Sequence, residues 1–377
     1  MAQKFPVTIS TTLTLLDQFQ ATLATPTTSA PQDAGADVDA NSNNALPLLA
    51  NSAASLKAQV TKLSLLAITS PFTHSAVTTV LRACNETVLP SLVTAALLVT
   101  PAEYTKAFHS EVLVLVRTTL TEFATLVKSV KEIAGHKDAA KTADPKKKEE
   151  DLTQTAKNAV TVAVGRVWDA CDEVCEVANK GVVGFVMRRV EQWRDLVKDA
   201  VEELEEWDPE GDDDFFDDLM GEEKEDLSDD EGDEEDENAA LQEQKKSTLR
   251  FLKPVAQVYP VIVTNRLKNA GDLPLCAPGG VAKLESLMIH LQNVPEQVDE
   301  VVGALYESNW VKAAEHLKKI QKHATQAVNS VAAPWSVGGG ARDDSTGSSD
   351  KFTVWSKTWS KVMEEVSKSI DAVAGSD

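Results

Sequence analysis

The sequence predicts an all-α protein of antiparallel helical bundles, with about nine to ten helices and a disordered acidic insert. Apolar residues recur every three or four positions over most of the chain, which is the period of a helix buried on one side. Aromatic residues make up only 5% of the chain, and glycine and proline cluster between the periodic segments. That composition favours helices over a β-sandwich. No run alternates apolar and polar residues as a half-buried strand does.

Five helices are predicted before residue 180. Each carries an apolar stripe, and they cover residues 7–23, 46–69, 73–99, 100–134 and 151–178. Pro90 is expected to kink or split the third of them, because a proline inside a helix removes a backbone donor. Thr100, Pro101 and Glu103 predict the start of the fourth helix as an N-cap, a first-turn proline and a capping box. Gly135 suits its end.

The most regular apolar spacing lies in residues 151–178 and 182–206. The first segment carries Val164, Val167 and Cys171 on its stripe, and the second carries Val190 and Trp193. Asn179, Lys180 and Gly181 separate the two. This pattern predicts a helical hairpin.

The C-terminal part is predicted to be helical from about residue 239. Pro254 and Pro260 lie inside the first of these segments, which predicts a bend or two shorter pieces. Asn293 and Glu296 are suited to cap a new helix within the next segment. The remaining predicted helices cover residues 284–294, 296–305, 309–328 and 351–373.

An acidic segment, residues 202–237, divides the chain. It holds 23 Asp or Glu and a single Lys, Lys224, so its formal charge of −22 equals that of the whole protein. The rest of the chain is neutral. We therefore predict an N-terminal helical bundle over 1–207, a disordered acidic linker over 208–238 and a C-terminal helical unit over 239–377.

Apolar residues interrupt the acidic segment at Phe215, Phe216, Leu219 and Met220. Two interpretations remain open, because such residues either dock on a partner protein or fold back onto the protein's own helices. Ser228 is followed by Asp229, Asp230 and Glu231, the pattern of a serine phosphorylated by an acid-directed kinase such as casein kinase 2. We predict it as a phosphorylation site.

No catalytic, metal-binding or cofactor motif stands out in the sequence, so we expect a protein that is not an enzyme and needs no cofactor. Cys171 and Cys175 lie four apart on an apolar stripe, which indicates buried thiols rather than metal ligands. His316 and His323 lie on a lysine-rich helix, where a solvated basic face is the better interpretation. The negative charge argues against direct binding of nucleic acid, and no apolar run is long enough to cross a membrane.

The segment Val164–Asp172, with Val-Trp-Asp-Ala-Cys at its centre, and the segment Trp193–Glu203 precede the acidic run. This arrangement resembles the Grap2 and cyclin-D-interacting protein family. Thr61–Leu65 resembles the N-terminal part of the same family. The resemblance implies an all-helical fold and a regulatory binding role, with cyclin D or helix–loop–helix transcription factors as partners in cytoplasm and nucleus.

We therefore expect a non-enzymatic protein-interaction factor in cell-cycle or transcriptional control. Two other functions fit parts of the sequence. An acidic chaperone for histones or other basic proteins would use residues 202–237, and a vinculin-like cytoskeletal adaptor would use the opening of a bundle.

Overall fold

A computed structural model describes most of the chain and shows an all-α protein, as predicted. Every regular element within the described residues is a helix. Among those helices, none has a stretch apolar enough to cross a membrane. The described residues are 4–25, 45–143, 151–208, 231–270, 279–333, 335 and 350–374.

The contacts divide the chain into two compact units, Met1–Gly184 and Phe185–Asp377. In this division the helical residues 185–206 group with the C-terminal unit, whereas the sequence prediction assigned residues up to 207 to the N-terminal bundle. Contacts inside the C-terminal unit account for the grouping, since Glu203 accepts a hydrogen bond from Tyr306 and Glu205 pairs with Lys253.

The N-terminal unit is a bundle whose helices bury one apolar stripe each. Buried residues such as Leu56, Leu81, Phe108 and Val167 are fully shielded from solvent. Polar contacts also join elements inside the bundle, since Asn85 Nδ2 donates to Oγ1 of the buried Thr12 at 2.9 Å. Its helices are α1 (Lys4–Ala24), α2 (Ala45–Ile68), α3 (His74–Ala83), α4 (Leu89–Leu98), α5 (Lys106–Ala143) and the first part of α6 (Gln154–Glu206).

The expected interruption of the third predicted helix lies just before Pro90. A π-helical turn, Cys84–Val88, joins α3 to α4, and Pro90 is in the first turn of α4. Proline has no backbone N–H to donate, so it is tolerated in the first turn after an irregular one.

The start predicted at Thr100 is wrong, because α5 begins at Lys106. Residues 100–104 form a separate turn in which Tyr104 N donates to Thr100 O at 2.9 Å. Thr105 caps α5 instead, since its hydroxyl accepts from the Phe108 N–H at 3.1 Å. The helix also continues through Gly135 to Ala143, so the predicted end at Gly135 is wrong as well.

The predicted break between the two most regular helical segments is confirmed at Gly181. Its φ of 63° and ψ of −170° interrupt α6, in a region of backbone conformation that only glycine adopts without strain. A Cβ built on Gly181 would meet Leu46 Cδ1 at 3.8 Å, which is an ordinary contact. Backbone strain, not crowding, therefore fixes glycine at this position.

Replacing Gly181 with alanine should destabilise the protein by about 1 to 3 kcal/mol, because the side chain disfavours the positive φ. Urea unfolding followed by circular dichroism measures this. Gly165→Ala is the matched control, since Gly165 lies in the same α6 with open space around it. That change should stabilise the helix by roughly 0.5 to 1 kcal/mol. Equal effects of the two changes would contradict the assignment of strain to Gly181.

The C-terminal unit contains the second part of α6 and four further helices. Among its fully buried residues are Tyr259, Leu291, Leu317 and Phe352. A short 3₁₀ turn, Leu267–Asn269, follows the first of the four. They are α7 (Glu231–Asn265), α8 (Gly280–Tyr306), α9 (Trp310–Ser330) and α10 (Lys351–Ala374).

Three boundaries in this unit differ from the prediction. Helix α7 begins at Glu231 rather than near residue 239, and it is one helix through Pro254 and Pro260. Helix α8 likewise continues through Pro295, so Asn293 does not begin a new helix. Packing against neighbouring helices stabilises the helical conformation around Pro295, which is itself buried.

Candidate partner-binding surface

The polar residues of the family-like segment form a cluster on the rim between α2 and α6. Lys57 Nζ donates to both carboxylate oxygens of Asp172 at 2.6 Å. The same ammonium lies 5.9 Å from the centre of the Trp168 ring, within reach of a cation–π contact. The Asp172 side chain is 59% exposed and that of Lys57 is 36% exposed. An ion pair this open to water contributes at most about 1 kcal/mol to stability, so its charges remain available to a partner.

The apolar residues of the same segment serve the core. Val167, Cys171 and Val174 are buried beneath the cluster. Beside them, Cys175 Sγ donates to Ala50 O at 3.5 Å. The indole N–H of Trp168 is buried and finds no hydrogen-bond acceptor in the described part of the chain. Trp168 thus lies between the core and the rim, with its indole nitrogen buried and its ring near the Lys57 ammonium.

The prediction of buried thiols is confirmed for Cys171, whereas Cys175 is only partly buried. Cys84 is buried as well. Burial raises the pKa of Cys84 to about 12. Burial, followed by the neighbouring Cys175 and Asp172, raises the pKa of Cys171 to about 12 as well. Both remain protonated at neutral pH, a state that neither attacks an electrophile nor binds a metal well. Cys276 lies outside the described residues.

The same two helices carry exposed apolar side chains two to three turns away from the polar cluster. Leu65 on α2 and Val162 on α6 are both 57% exposed. The two helices run antiparallel, since Ala50 contacts Cys175 while Lys57 contacts Asp172. Continuing that register brings Leu65 level with Val162. A partner that covered this part of the bundle would bury apolar surface beside the Lys57–Asp172 pair.

In the C-terminal unit, the start of the acidic segment is anchored. Lys245 Nζ donates to the carbonyls of Glu205 and Trp207, at 3.2 Å to the first, and so caps the C-terminal end of α6. The Trp207 ring packs edge-on against Tyr306 at a centroid distance of 4.8 Å. Tyr306 in turn donates to Glu203 Oε1 at 3.0 Å. The acidic segment therefore leaves the unit from a defined point.

Asp299 on α8 lies in the negative field of this anchored end. Partial burial, followed by the charges of Glu203 and Glu300, raises the pKa of its carboxyl above the usual 3.8. The charged form of Asp299 is thus disfavoured in the folded protein.

Asp299→Asn should stabilise the protein at neutral pH by about 0.5 kcal/mol, because it removes this repulsion. A raised folded-state pKa means that the penalty is complete above that pKa and disappears below the unfolded value of 3.8. The difference from wild type should therefore shrink as the pH falls through this window. Urea midpoints at several pH values measure it, with Glu296→Gln on the same helix as a charge-removing control. A constant difference down to low pH would contradict the assignment.

The predicted docking residues Phe215, Phe216, Leu219 and Met220 lie outside the described residues, as does Ser228. They remain predictions.

The aromatic residues of the last helix are described, and Trp359 is buried with its indole Nε1 donating to Pro254 O at 2.9 Å.

The bundled helices and the charged and aromatic cluster on their rim define the class of the protein as all-helical. Residues 48–210 match the family model described as Grap2 and cyclin-D-interacting, N-terminal, which confirms the resemblance found in the sequence. The matched residues contain α2 to α6 and the whole rim cluster, and they make up less than half of the chain.

A curated relative covers a similar share of the chain. The sequence is 21% identical over 213 residues to an uncharacterized protein of Schizosaccharomyces pombe, which corresponds to 55% of each protein. The chain thus spans about half the length of the relative that it matches.

Proposed function

We propose that this chain is a non-enzymatic protein-binding factor of the cyclin-D-interacting kind, acting in cell-cycle or transcriptional control. The observation that carries the proposal is the family match over residues 48–210. Its partners would be a D-type cyclin or a regulator of the helix–loop–helix type, and it would act in cytoplasm and nucleus.

The mechanism that we propose is docking of the partner on the rim of α2 and α6. Leu65 and Val162 would supply apolar contact. The Lys57–Asp172 pair beside them would orient the partner by charge. The acidic segment, through its charge and a phosphate on Ser228, would adjust which partners bind.

Binding of the full chain to a purified D-type cyclin, measured by calorimetry, tests this proposal. We expect one-to-one binding and a loss of affinity of roughly tenfold or more in the double variant Leu65→Asp, Val162→Asp, because two charges would enter the contact. Val311→Asp is the matched control, since Val311 is 67% exposed and lies outside the matched residues. Absence of cyclin binding by the wild type would refute the cyclin proposal. Equal affinity of the double variant and the control would refute the docking surface.

A second function, an acidic chaperone for basic proteins such as histones, is favoured by one observation. Residues 202–237 carry 23 acidic side chains and a single lysine. Removal of residues 209–230 should then abolish histone binding by the full protein and leave cyclin binding in place. Histone binding that is absent from the wild type, or unaffected by the deletion, would exclude the chaperone function.

A further inference from the structure

The antiparallel pair α8 and α9 brings together two histidines that lie far apart in sequence. Nδ1 of His290 and Nδ1 of His323 are 3.3 Å apart. The ring centroids are 5.5 Å apart, with the ring planes tilted by 45°. The solvated basic face predicted for His316 and His323 is wrong, because both of these residues are half-buried, as is His290.

The register of the two helices places a second polar pair one heptad away. His316 lies seven residues before His323, and Gln297 lies seven residues after His290. His316 Nδ1 and Gln297 Oε1 are 2.9 Å apart. His316 therefore already has a side-chain partner, whereas His290 and His323 face each other through two nitrogens.

The spacing of the two Nδ1 atoms matches that of two ligands on one metal ion. Zinc–imidazole bonds of about 2.0–2.1 Å at a tetrahedral angle place two ligand nitrogens about 3.3–3.4 Å apart. The two histidines also stand on regular helices, which hold side chains more rigidly than loops do. To bind one ion, both rings would have to turn from this mutual hydrogen bond so that each Nδ1 lone pair faces the ion.

The surroundings favour a transition metal over calcium or magnesium. Two imidazoles without a carboxylate suit Zn²⁺, Cu²⁺ or Ni²⁺, whereas calcium and magnesium need oxygen ligands. No third His, Cys, Asp or Glu joins the pair among the residues that the structure describes. Water would complete the coordination of such an ion.

Both imidazoles are available as ligands at neutral pH. Burial, followed by Lys322, lowers the pKa of His290. Burial, followed by His290 and Lys322, lowers the pKa of His323. The neutral imidazole is the form that binds a metal. Lys322 also repels a bound cation, so it should weaken metal binding.

We propose that His290 and His323 form a two-histidine binding site for a divalent transition-metal ion of the Zn²⁺ type, clamping α8 to α9. This site lies outside the residues 48–210 of the family match, and the proposal is independent of the proposed function.

Zinc binding to the full protein tests the proposal. The buffer contains excess Mg²⁺ to occupy the carboxylates of the acidic segment, and a zinc indicator reports the free ion. We expect the wild type to bind zinc at one site. The affinity for zinc should be lower by roughly tenfold or more in His290→Ala, and by a similar factor in His323→Ala. His316→Ala is the matched control and should bind as the wild type does. Lys322→Gln should bind more tightly, because it removes a neighbouring positive charge.

A second measurement on the wild type does not depend on the folding of any variant. Zinc should shift the ¹⁵N resonances of Nδ1 in two histidine rings of the wild type, and it should raise the Tm of the wild type. Zinc binding of equal strength in the wild type and in both single variants, His290→Ala and His323→Ala, would overturn the proposal, as would ¹⁵N shifts confined to other residues. The pair would then be a hydrogen bond between neutral imidazoles only.

Discussion

Arg266→Ala is expected to destabilise the C-terminal unit by about 2 to 3 kcal/mol, because it removes a buried side chain that donates hydrogen bonds to backbone carbonyls and to the partly exposed carboxylate of Asp350. The Arg266 side chain is only 5% exposed. Its Nε donates to Val331 O at 2.7 Å, and its Nη2 donates to Ala332 O at 2.9 Å and to Asp350 Oδ2 at 3.0 Å. The guanidinium also lies 4.2 Å from the centre of the Phe352 ring. One side chain thus joins the ends of α7 and α9 to the start of α10.

The same network stabilises the charged form of the Asp350 carboxyl. Partial burial opposes its charge, but the hydrogen bond from the Thr353 N–H and the Arg266 guanidinium outweigh this and lower the pKa of the carboxyl. Asp350 also caps α10, since its Oδ1 accepts from Thr353 N at 2.9 Å. Loss of Arg266 therefore leaves three backbone carbonyls, those of Asn265, Val331 and Ala332, without this donor, and it weakens the cap of α10.

Urea unfolding followed by circular dichroism measures the effect of Arg266→Ala, with hydrogen exchange to assign the loss to the C-terminal unit. Arg266→Lys should recover little of the lost stability, because an ammonium lacks the planar fork with which the guanidinium reaches several acceptors. Arg250→Ala, an exposed arginine on the same α7, is the control and should change stability by less than about 0.5 kcal/mol. A loss for Arg266→Ala no larger than that of the control would contradict the role of the network.

Trp359→Ala should cost about 3 to 5 kcal/mol, because a large buried side chain is removed and a cavity is left between α7 and α10. Trp359 is 4% exposed and stacks on Trp355 at a centroid distance of 5.9 Å. Its indole N–H donates to the carbonyl of Pro254, inside α7. Trp359→Phe keeps most of the packing and should cost only about 1 kcal/mol, mainly for the hydrogen bond.

The same unfolding experiment compares these two variants of Trp359. Hydrogen exchange of α7 should increase in Trp359→Ala, because α10 packs along the part of α7 that contains Pro254. Equal losses for alanine and phenylalanine would show that the hydrogen bond, rather than the packing, dominates at this position.

The helices were predictable from sequence because each carries a continuous apolar stripe. Val160, Val164 and Val167 on α6 and Ala313, Leu317 and Ile320 on α9 follow the helical period and are all buried. Helix ends were less predictable, since they depend on tertiary contacts. Thr100 has the residue type of a cap, but Thr105 makes the capping hydrogen bond. Pro295 is a residue type that usually interrupts a helix, but it lies inside α8.

The networks between distant residues could not be read from the sequence. Arg266 and Asp350 are 84 residues apart, and His290 and His323 are 33 residues apart. Their pairing depends on the antiparallel register of α7 with α10 and of α8 with α9, and local spacing carries no information about that register. The rim cluster was predictable in part, because the Val-Trp-Asp-Ala-Cys segment drew attention to Trp168. Its partner Lys57 comes from another helix.

The acidic segment dominates the charge of the protein, yet the neutral helices hold the residues that match the family model. Only the two ends of the segment are described, at the C-terminus of α6 and the N-terminus of α7. We therefore propose that a partner binds on the helical surface around Lys57, Trp168 and Asp172. The acidic segment would adjust affinity through long-range charge.

The affinity of a D-type cyclin for the full chain and for a chain lacking residues 209–230, at low and at physiological salt, tests this central claim most directly. We predict that the deletion changes the affinity by less than roughly tenfold at physiological salt, and that it reduces the salt dependence of binding. Loss of cyclin binding on removal of the segment would contradict the account, because it would place the binding site in the acidic residues rather than on the helices.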